Sequence, residues 1–189
     1  MAASSASKSP GQPGYVNPRG IPQAPFIEVV EDYVRNRDQV QSVLQSFQEM
    51  LSKYKYMEMS TLRRAAGLEE KIPDIQKTLD TVLFLDSRRN AESTLTTTYE
   101  LNDTLFAKAN IHPSDTVYLW LGANVMLEYP VAEATDLLTS KLNAAKESLK
   151  TCQEDLEFLR ENITTVEVNT ARVYNWDVQK RREEKELVR

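Results

Sequence analysis

Cysteine and histidine are almost absent from this chain, which has one of each, Cys152 and His112, in 189 residues. A lone cysteine excludes an intramolecular disulfide. The two residues are also too few for a typical zinc site or for a nucleophile activated by a histidine base. With only five glycines, the sequence shows no glycine-rich phosphate-binding loop. We therefore expect no enzyme activity, no catalytic residues, no metal and no cofactor.

Long apolar runs are missing too, since no stretch approaches the roughly 20 apolar residues that a membrane-spanning helix needs. The net charge is −5 and the basic clusters are isolated or flanked by acids, so no phosphate-binding face is predicted. We expect no membrane and no nucleic acid partner. The lone cysteine favours a reducing compartment, so the expected location is cytoplasmic, with the nucleus kept as a second compartment.

Apolar periodicity is missing from residues 1–25, which hold most of the prolines and glycines and several serines. Such a composition cannot offset its ordering entropy, which predicts a disordered N-terminal tail. A mitochondrial transit peptide is the alternative, but the tail has few arginines and its prolines prevent a continuous helix. The rest is predicted as a helix at 26–91, hairpins at 93–129, a helix at 130–178 and a charged tail at 179–189, which is either a solvated helix extension or frayed coil.

The first predicted helix has a seam of positions that alternate in steps of four and three residues, which is the a and d rhythm of a coiled coil. Glu58 and Thr61 are polar seam positions. Gly67 and Pro73 weaken the helix, so a kink is expected between these two residues, although the regular spacing resumes afterwards. The seam consists of Val40, Leu44, Phe47, Leu51, Tyr54, Glu58, Thr61, Ala65, Leu68, Ile72, Ile75, Leu79 and Val82.

A second seam follows Pro130, a residue that suits the first turn of a helix. It consists of Val131, Thr135, Leu138, Leu142, Ala145, Leu149, Cys152, Leu156, Leu159, Ile163, Val166, Thr170 and Val173. Because the two seams are similar in length, the helices are predicted to pair as a long antiparallel coiled coil. The predicted register places Leu79 near Leu138, Leu68 near Leu149, Ala65 near Cys152, Tyr54 near Ile163 and Leu44 near Val173.

The segment between the helices alternates apolar and polar residues in four short stretches, which predicts two β-hairpins. Asn102-Asp103 and Gly122-Ala123-Asn124 supply the turns. The third strand is apolar on both faces and would leave a large apolar surface exposed on a monomer, so a partner subunit is expected. The predicted oligomerisation residues are Leu105, Ile111, Val117, Tyr118, Leu119, Trp120, Leu121, Val125 and Leu127.

The outer ends of the two helices carry more apolar residues than one seam can bury. We expect Phe26, Ile27, Val30, Tyr33, Val173, Tyr174, Trp176 and Val178 to meet there. Two interpretations remain open. These residues form a surface that binds client proteins, or residues 26–34 fold back and bury Trp176.

Particular sequence strings carry a family resemblance. The strongest runs from Leu119 to Tyr129 and reads LWLGANVMLEY. Others are GIP at 20–22, KYKYME at 53–58, IPDI at 72–75 and ARVYNWDV at 171–178. Over roughly residues 20–178 the chain resembles the alpha-class subunits of eukaryotic prefoldin.

The resemblance implies a heterohexamer of two alpha-class and four beta-class subunits, whose hairpins join into an oligomeric β-barrel from which the coiled coils project. It also implies that the coiled-coil tips hold unfolded clients, chiefly actin and tubulin, and pass them to the cytosolic chaperonin without nucleotide hydrolysis. The alternative from another class is a structural coiled-coil scaffold or tether without chaperone activity. A coiled-coil arm appended to an enzyme is a third interpretation, but the sequence beyond the arm contains no residues that could form a catalytic site.

Overall fold

The computed structural model describes residues 14–34, 36–90 and 94–187. One helical turn, α1 (Val30–Tyr33), and a 3-10 turn (Arg37–Gln39) precede the long helix α2 (Val40–Ser87). The strands β1 (Leu95–Asn102), β2 (Leu105–Ile111), β3 (Thr116–Gly122) and β4 (Val125–Pro130) lead to the long helix α3 (Val131–Leu187). The prediction of two long helices and two antiparallel hairpins is confirmed.

The chain divides into two compact units, which both long helices enter. The terminal unit contains Met1–Arg64 and Cys152–Arg189, and the central unit contains Ala65–Thr151. Every predicted seam residue of α2 and α3 is buried or half-buried. The a and d periodicity therefore identified the contact face of both helices correctly.

In the terminal unit, α2 and α3 run antiparallel. Arg64 Nε lies 3.1 Å from Cys152 Sγ, and Arg160 Nε lies 3.4 Å from Glu58 Oε1. As the residue number on α2 increases from 58 to 64, the residue number of the partner on α3 decreases from 160 to 152. The first contact lies one residue from the predicted pairing of Ala65 with Cys152. The register expected from the seams is thus supported at this point.

Residues 14–34, called the strap below, pack along the helix pair of the terminal unit. Buried strap residues Ala24, Ile27, Val30 and Val34 join one core cluster with residues of both helices. On the helices that cluster contains Val40, Phe47, Tyr54, Leu159, Ile163, Val166 and Val173. The terminal unit is therefore built from three segments, although the seams alone predict two.

The strap corrects the prediction that residues 1–25 are disordered. Val16 pairs with Pro22 across a turn in which Asn17 N–H donates to the Ile21 carbonyl at 2.9 Å. The Tyr15 ring also meets the Phe158 ring edge-on, with centroids 6.1 Å apart. Composition misled here because this segment is ordered by contacts with both long helices, and its partners on α3 lie far away in sequence. The same prediction for residues 1–13 lies outside the described residues.

The central unit has its own core where the helices meet the second hairpin. The α2 residues Leu79 and Val82 pack with Leu119 of β3 and with residues of the first turns of α3. On α3 these are Val131, Ala134, Leu138 and Leu142. The backbone N–H of Val131 donates to the Asp115 carbonyl at 3.0 Å, which ties the start of α3 to the loop before β3.

The four strands form two separate two-stranded sheets, β1 with β2 and β3 with β4. In the second hairpin Gly122 pairs with Val125, so Ala123 and Asn124 form a two-residue loop. Both loop residues have positive φ, 49° and 62°, as a type I′ turn requires. This turn closes the hairpin at the position that the Gly-Ala-Asn string predicted.

The helix boundaries refine the sequence prediction. Helix α2 begins at Val40, not at residue 26, and continues without a break past Pro73. The kink expected between Gly67 and Pro73 stays a prediction. Helix α3 begins after Pro130 and extends to Leu187, so the described part of the charged C-terminal segment is helical. Among the described residues, no helix combines the length and the apolar character needed to cross a membrane.

Candidate assembly and client-binding surfaces

The second hairpin presents two different faces. Cross-strand pairs share a face, and Tyr118 pairs with Glu128 while Trp120 pairs with Met126. Tyr118 and Trp120 are 64% and 61% exposed, so this face has two large aromatic side chains in solvent. The opposite face carries Leu119, which is buried in the core of the central unit.

The first hairpin also exposes apolar side chains. Tyr99 lies opposite Ala107 on one face, and Phe106 lies opposite Glu100 on the other face. Tyr99 is 63% exposed and Phe106 is 57% exposed. A two-stranded hairpin is marginally stable in water, and this one leaves its best packing groups unburied within the chain.

Most of the predicted oligomerisation residues are exposed, as an assembly surface requires. The exposed ones are Leu105, Ile111, Tyr118, Trp120, Leu121, Val125 and Leu127. Leu119 is buried and Val117 is half-buried against the helices of the same chain. For Leu119 the prediction of an exposed contact is therefore wrong, because alternation marks a buried face without showing what buries it.

The sequence prediction missed four further exposed apolar residues in the hairpins. These are Tyr99, Leu101, Phe106 and Met126. A signal was present for two of them. Phe106 follows the predicted contact residue Leu105 in β2, and Met126 is the cross-strand partner of Trp120, with which it shares one face. Extending the prediction by pairing would have found Met126 opposite Trp120.

The predicted client-binding residues divide into a buried group and an exposed group. Ile27, Val30 and Val173 lie in the core of the terminal unit, so the prediction that all eight form an accessible surface is wrong. Trp176 and Val178 are half-buried. The exposed residues are Phe26, Tyr33 and Tyr174, at 61%, 46% and 59%.

Trp176 is held by the strap, which supports the interpretation that residues 26–34 fold back on it. Its Nε1 donates to Glu31 Oε1 at 2.7 Å, and its ring packs against the core of the terminal unit. The pKa of the Glu31 carboxyl is lowered by a hydrogen bond from its own backbone N–H and then by the bond from Trp176. The tryptophan therefore favours the ionised form of Glu31.

Phe26 contacts the charged guanidinium of Arg172 and is not part of the core. The guanidinium of Arg172 stands 4.9 Å from the centre of the Phe26 ring, and its Nη1 donates to the Ile27 carbonyl at 2.7 Å. Tyr33 stacks on Phe47, with ring centres 6.0 Å apart. Both aromatic strap residues thus keep one ring face against the protein while a large fraction of their surface stays in solvent.

Three buried polar residues of α3, Asp155, Asn162 and Asn169, hold the strap at heptad spacing. Asp155 Oδ1 accepts from Asn17 Nδ2 at 2.9 Å and also pairs with Arg19 Nε. Seven residues on, Asn162 Oδ1 accepts from the Ala24 N–H at 2.5 Å.

After another seven residues, Asn169 Oδ1 accepts from the Ile27 N–H at 3.1 Å, and its Nδ2 donates to the Pro25 carbonyl at 2.6 Å. Asp155, Asn162 and Asn169 each precede an a or d position. Sequence reasoning missed them, although polar residues recurring beside a coiled-coil seam are a readable signal for a third segment.

Tyr54 joins the polar contacts to the apolar core. Its ring is buried, and its hydroxyl donates to the Pro22 carbonyl at 2.8 Å. Burial raises the pKa of this hydroxyl because the charged phenolate would be poorly solvated. The hydroxyl is therefore a neutral donor at physiological pH.

Within the part of the chain that the structure describes, no group of three or more His, Cys, Asp or Glu side chains is arranged to hold a metal. His112 lies exposed in the loop between the hairpins, and Cys152 is buried in the coiled-coil seam. The geometry provides binding surfaces. It defines a class of protein in which two long paired helices flank two β-hairpins with exposed apolar faces.

Comparison with known proteins agrees with that class. The family model described as "Prefoldin subunit" matches residues 54–176. The chain is 59% identical over 98% of its length to prefoldin subunit 3 of Elsinoe fawcettii, of which 94% is covered. It is 58% identical to the probable prefoldin subunit 3 of Schizosaccharomyces pombe, covering 89% of this chain and 97% of that protein. With human prefoldin subunit 3 it shares 42% identity over 86% of this chain and 83% of the human protein.

The chain belongs to the prefoldin subunit family. The resemblance drawn from its sequence strings is confirmed, and these relatives are named subunit 3 in fungi and in animals. Family membership makes the chain a co-chaperone subunit that assembles with other prefoldin subunits. Prefoldin is a chaperone family without enzymatic activity, so binding surfaces are what its subunits require.

Proposed function

We propose that the chain is one of the two alpha-class subunits of a heterohexamer with four beta-class subunits. In this assembly it captures unfolded actin and tubulin without nucleotide hydrolysis and delivers them to the cytosolic chaperonin. The single observation that carries the proposal is the exposure of Tyr118 and Trp120 on a hairpin whose other face packs on the core of its own chain only at Leu119 and its partly buried neighbours. The proposed location is cytoplasmic, where the chaperonin acts, with the nucleus as a second compartment.

The hairpins supply the assembly contacts in this proposal. Exposed aromatic and aliphatic side chains on both hairpins form apolar surface of the kind that marks protein interfaces. Unpaired strand edges also invite strands from neighbouring chains, and closing strands into a barrel removes those edges. Hairpins from several subunits would therefore complete one another as a barrel.

The exposed aromatic residues of the terminal unit are the proposed client contacts. Phe26 and Tyr33 of the strap and Tyr174 of α3 present large apolar surfaces in the terminal unit. Unfolded proteins expose scattered apolar segments, so weak contacts on several linked subunits gain strength through effective concentration. Each chain alone should therefore bind a client weakly.

The direct test is a hexamer rebuilt with Phe26, Tyr33 and Tyr174 changed to serine. Trp176 stays unchanged because it supports Glu31 of the strap. We expect intact assembly and reduced suppression of the aggregation of denatured actin. The matched control is Tyr56→Ser, an exposed aromatic on α2 that is 76% exposed and lies outside the proposed set.

Two outcomes would contradict different parts of the proposal. Unchanged suppression by the triple variant would remove these three residues from the client site while leaving the chaperone function standing. If the unmodified hexamer failed to suppress aggregation at all, the scaffold or tether interpretation would replace the chaperone function.

A further inference from the structure

Between residues 22 and 27, the groove that holds the strap forms its hydrogen bonds with the backbone of the strap. Side chains of α2 and α3 form hydrogen bonds with five backbone groups of the strap. These are the carbonyls of Pro22, Pro25 and Ile27 and the N–H groups of Ala24 and Ile27. The side chains that make these bonds are those of Tyr54, Asn162, Asn169 and Arg172. Bonds to the peptide backbone do not depend on the sequence of the bound segment.

The buried side chains of the strap follow a simple spacing. Ala24, Ile27 and Val30 lie three residues apart and are all buried. Pro22 and Pro25 favour a polyproline II backbone, which has three residues per turn and so places Ala24 and Ile27 on one side. Val30 begins the helical turn α1. The groove thus accepts an extended segment with small or branched apolar residues three positions apart, followed by a helical turn.

We propose that this groove is a binding site for extended apolar polypeptide and that the strap occupies it as an intramolecular mimic. The inference rests on the proposed holding of unfolded clients and deepens it, because it names a groove and a bound conformation. The groove is lined by Phe47, Tyr54, Asn162, Val166, Asn169 and Arg172. An unfolded segment binds there after the strap leaves.

The strap is also held outside the groove by polar contacts of Asn17 and Arg19 with Glu154 and Asp155, which are called the fastening below. Asn17 and Arg19 both bond Asp155, and Arg19 also pairs with the exposed Glu154 at 3.3 Å. These hydrogen bonds and ion pairs lie outside positions 24–30 of the strap. Removing the fastening therefore favours the open groove while leaving the groove side chains intact.

The expected size of the effect follows from the population of the open groove. The apparent affinity for a competing peptide is reduced by the fraction of molecules whose groove is free. If removal of the fastening raises the fraction of molecules with a free groove tenfold, the apparent affinity for the peptide should increase by about tenfold. The full chain with its fastening intact should bind the same peptide weakly.

The experiment uses the full-length chain with Asn17→Ala and Arg19→Ala, alone and in the rebuilt hexamer. The probe is a fluorescein-labelled peptide of residues 20–34, and the control peptide has aspartate at positions 27 and 30. Hydrogen exchange at the amides of Ala24 and Ile27 reports strap opening. We expect faster exchange and about tenfold tighter binding of the probe than by the unmodified chain.

Adding Asn169→Leu to the opened variant should abolish the gain, because Asn169 bonds two backbone groups of the bound segment. The matched control is Asn175→Leu, an exposed position on the same helix, which should keep the gain. Faster exchange without tighter binding would overturn the inference. Equal binding after Asn169→Leu would also overturn it.

If the alanine changes leave exchange unaltered, Ile27→Asp provides the second opening, since a charge cannot remain in the apolar core. Failure of that variant to bind the probe would overturn the inference. Aggregation of denatured actin is measured on the same hexamers. Suppression without probe binding would reject the groove and keep the proposed function, whereas probe binding without suppression would keep the groove and reject the function.

Discussion

Many large apolar side chains are buried in the terminal unit, whereas most of those in the hairpins are exposed. In the terminal unit Phe47 of α2 is fully buried, at 0% exposure, in the core that the strap shares with both helices. In the first hairpin Phe106 is 57% exposed. The terminal unit completes its own core with its own N-terminal segment, whereas the hairpins leave apolar surface that the chain itself does not cover.

The difference follows from local geometry. Two helices leave a groove along their line of contact, and one extended segment of the same chain fills it in the terminal unit. A two-stranded hairpin has two faces and two edges, so one chain covers only part of it. We therefore propose that the hairpins are the region that assembles with partner subunits, and that the terminal unit stays available for client contacts.

The largest expected effect comes from breaking the exposed hairpin face. Trp120→Asp should prevent entry into the hexamer, because a subunit contact would bury an unpaired charge. The stability of the chain alone should change within about 0.5 kcal/mol, as for other exposed positions. Co-purification with the partner subunits measures entry, with Tyr56→Asp as the exposed aromatic control. Stoichiometric co-purification of the Trp120 variant would remove this face from the assembly.

Next in size is the paired truncation of two phenylalanines. Phe47→Ala should lower the free energy of unfolding by about 3–5 kcal/mol, because it leaves a cavity in the core of the terminal unit. Phe106→Ala in the hairpin should cost far less in the chain alone, since the ring is already in solvent. Denaturant unfolding of both variants measures the contrast. Equal losses would show that the hairpin ring is buried in solution.

The periodicity of the seams predicted the helix pairing because coiled-coil packing is written in local spacing. Hairpin positions followed from turn chemistry at Asn102-Asp103 and Gly122-Ala123-Asn124 for the same reason. The strap could not be predicted from its own composition. Its order depends on Asn162 and Asn169, which stand more than a hundred residues away in sequence.

Burial by long-range partners explains the errors in the candidate sites as well. Ile27 and Val30 are apolar residues near a chain end, and that position suggested exposure. The strap places them in the same core cluster as Val166 and Val173 instead. Leu119 was assigned to a subunit contact, but helices of its own chain cover it. Sequence patterns identified apolar residues that need to be buried, but they did not indicate which partner buries each residue.

A smaller effect should follow from loss of the buried amide of Asn169. Asn169→Leu leaves the Ile27 N–H and the Pro25 carbonyl without their partner, at about 1–3 kcal/mol for each group that stays buried. Opening of the strap would limit the loss in the free energy of unfolding. Thermal unfolding of this variant beside Asn175→Leu, whose change should be within about 0.5 kcal/mol, measures it. No difference between the two variants would argue that the strap contributes little to the terminal unit.

The smallest effect concerns the acid side of the pH range. The folded pKa of Glu31 is lowered, so its contribution to strap docking is present above the ordinary pKa of 4.5 and is lost as the pH falls through the folded value. Trp176 fluorescence, followed in a Trp120→Phe background, should therefore change only below pH 4.5. Glu31→Gln should remove this transition. A transition that persists in the glutamine variant would assign it to another group.

The contrast between an incomplete and a complete region is tested most directly by hydrogen exchange of the chain alone and in the hexamer. The chain alone is measured at a concentration at which sedimentation shows a monomer. We predict that amides of β1–β4 exchange quickly in the monomer and slowly in the hexamer, while amides of Cys152 to Val173 in α3 keep the same protection in both. Equal protection of the hairpins in the two states would contradict the account.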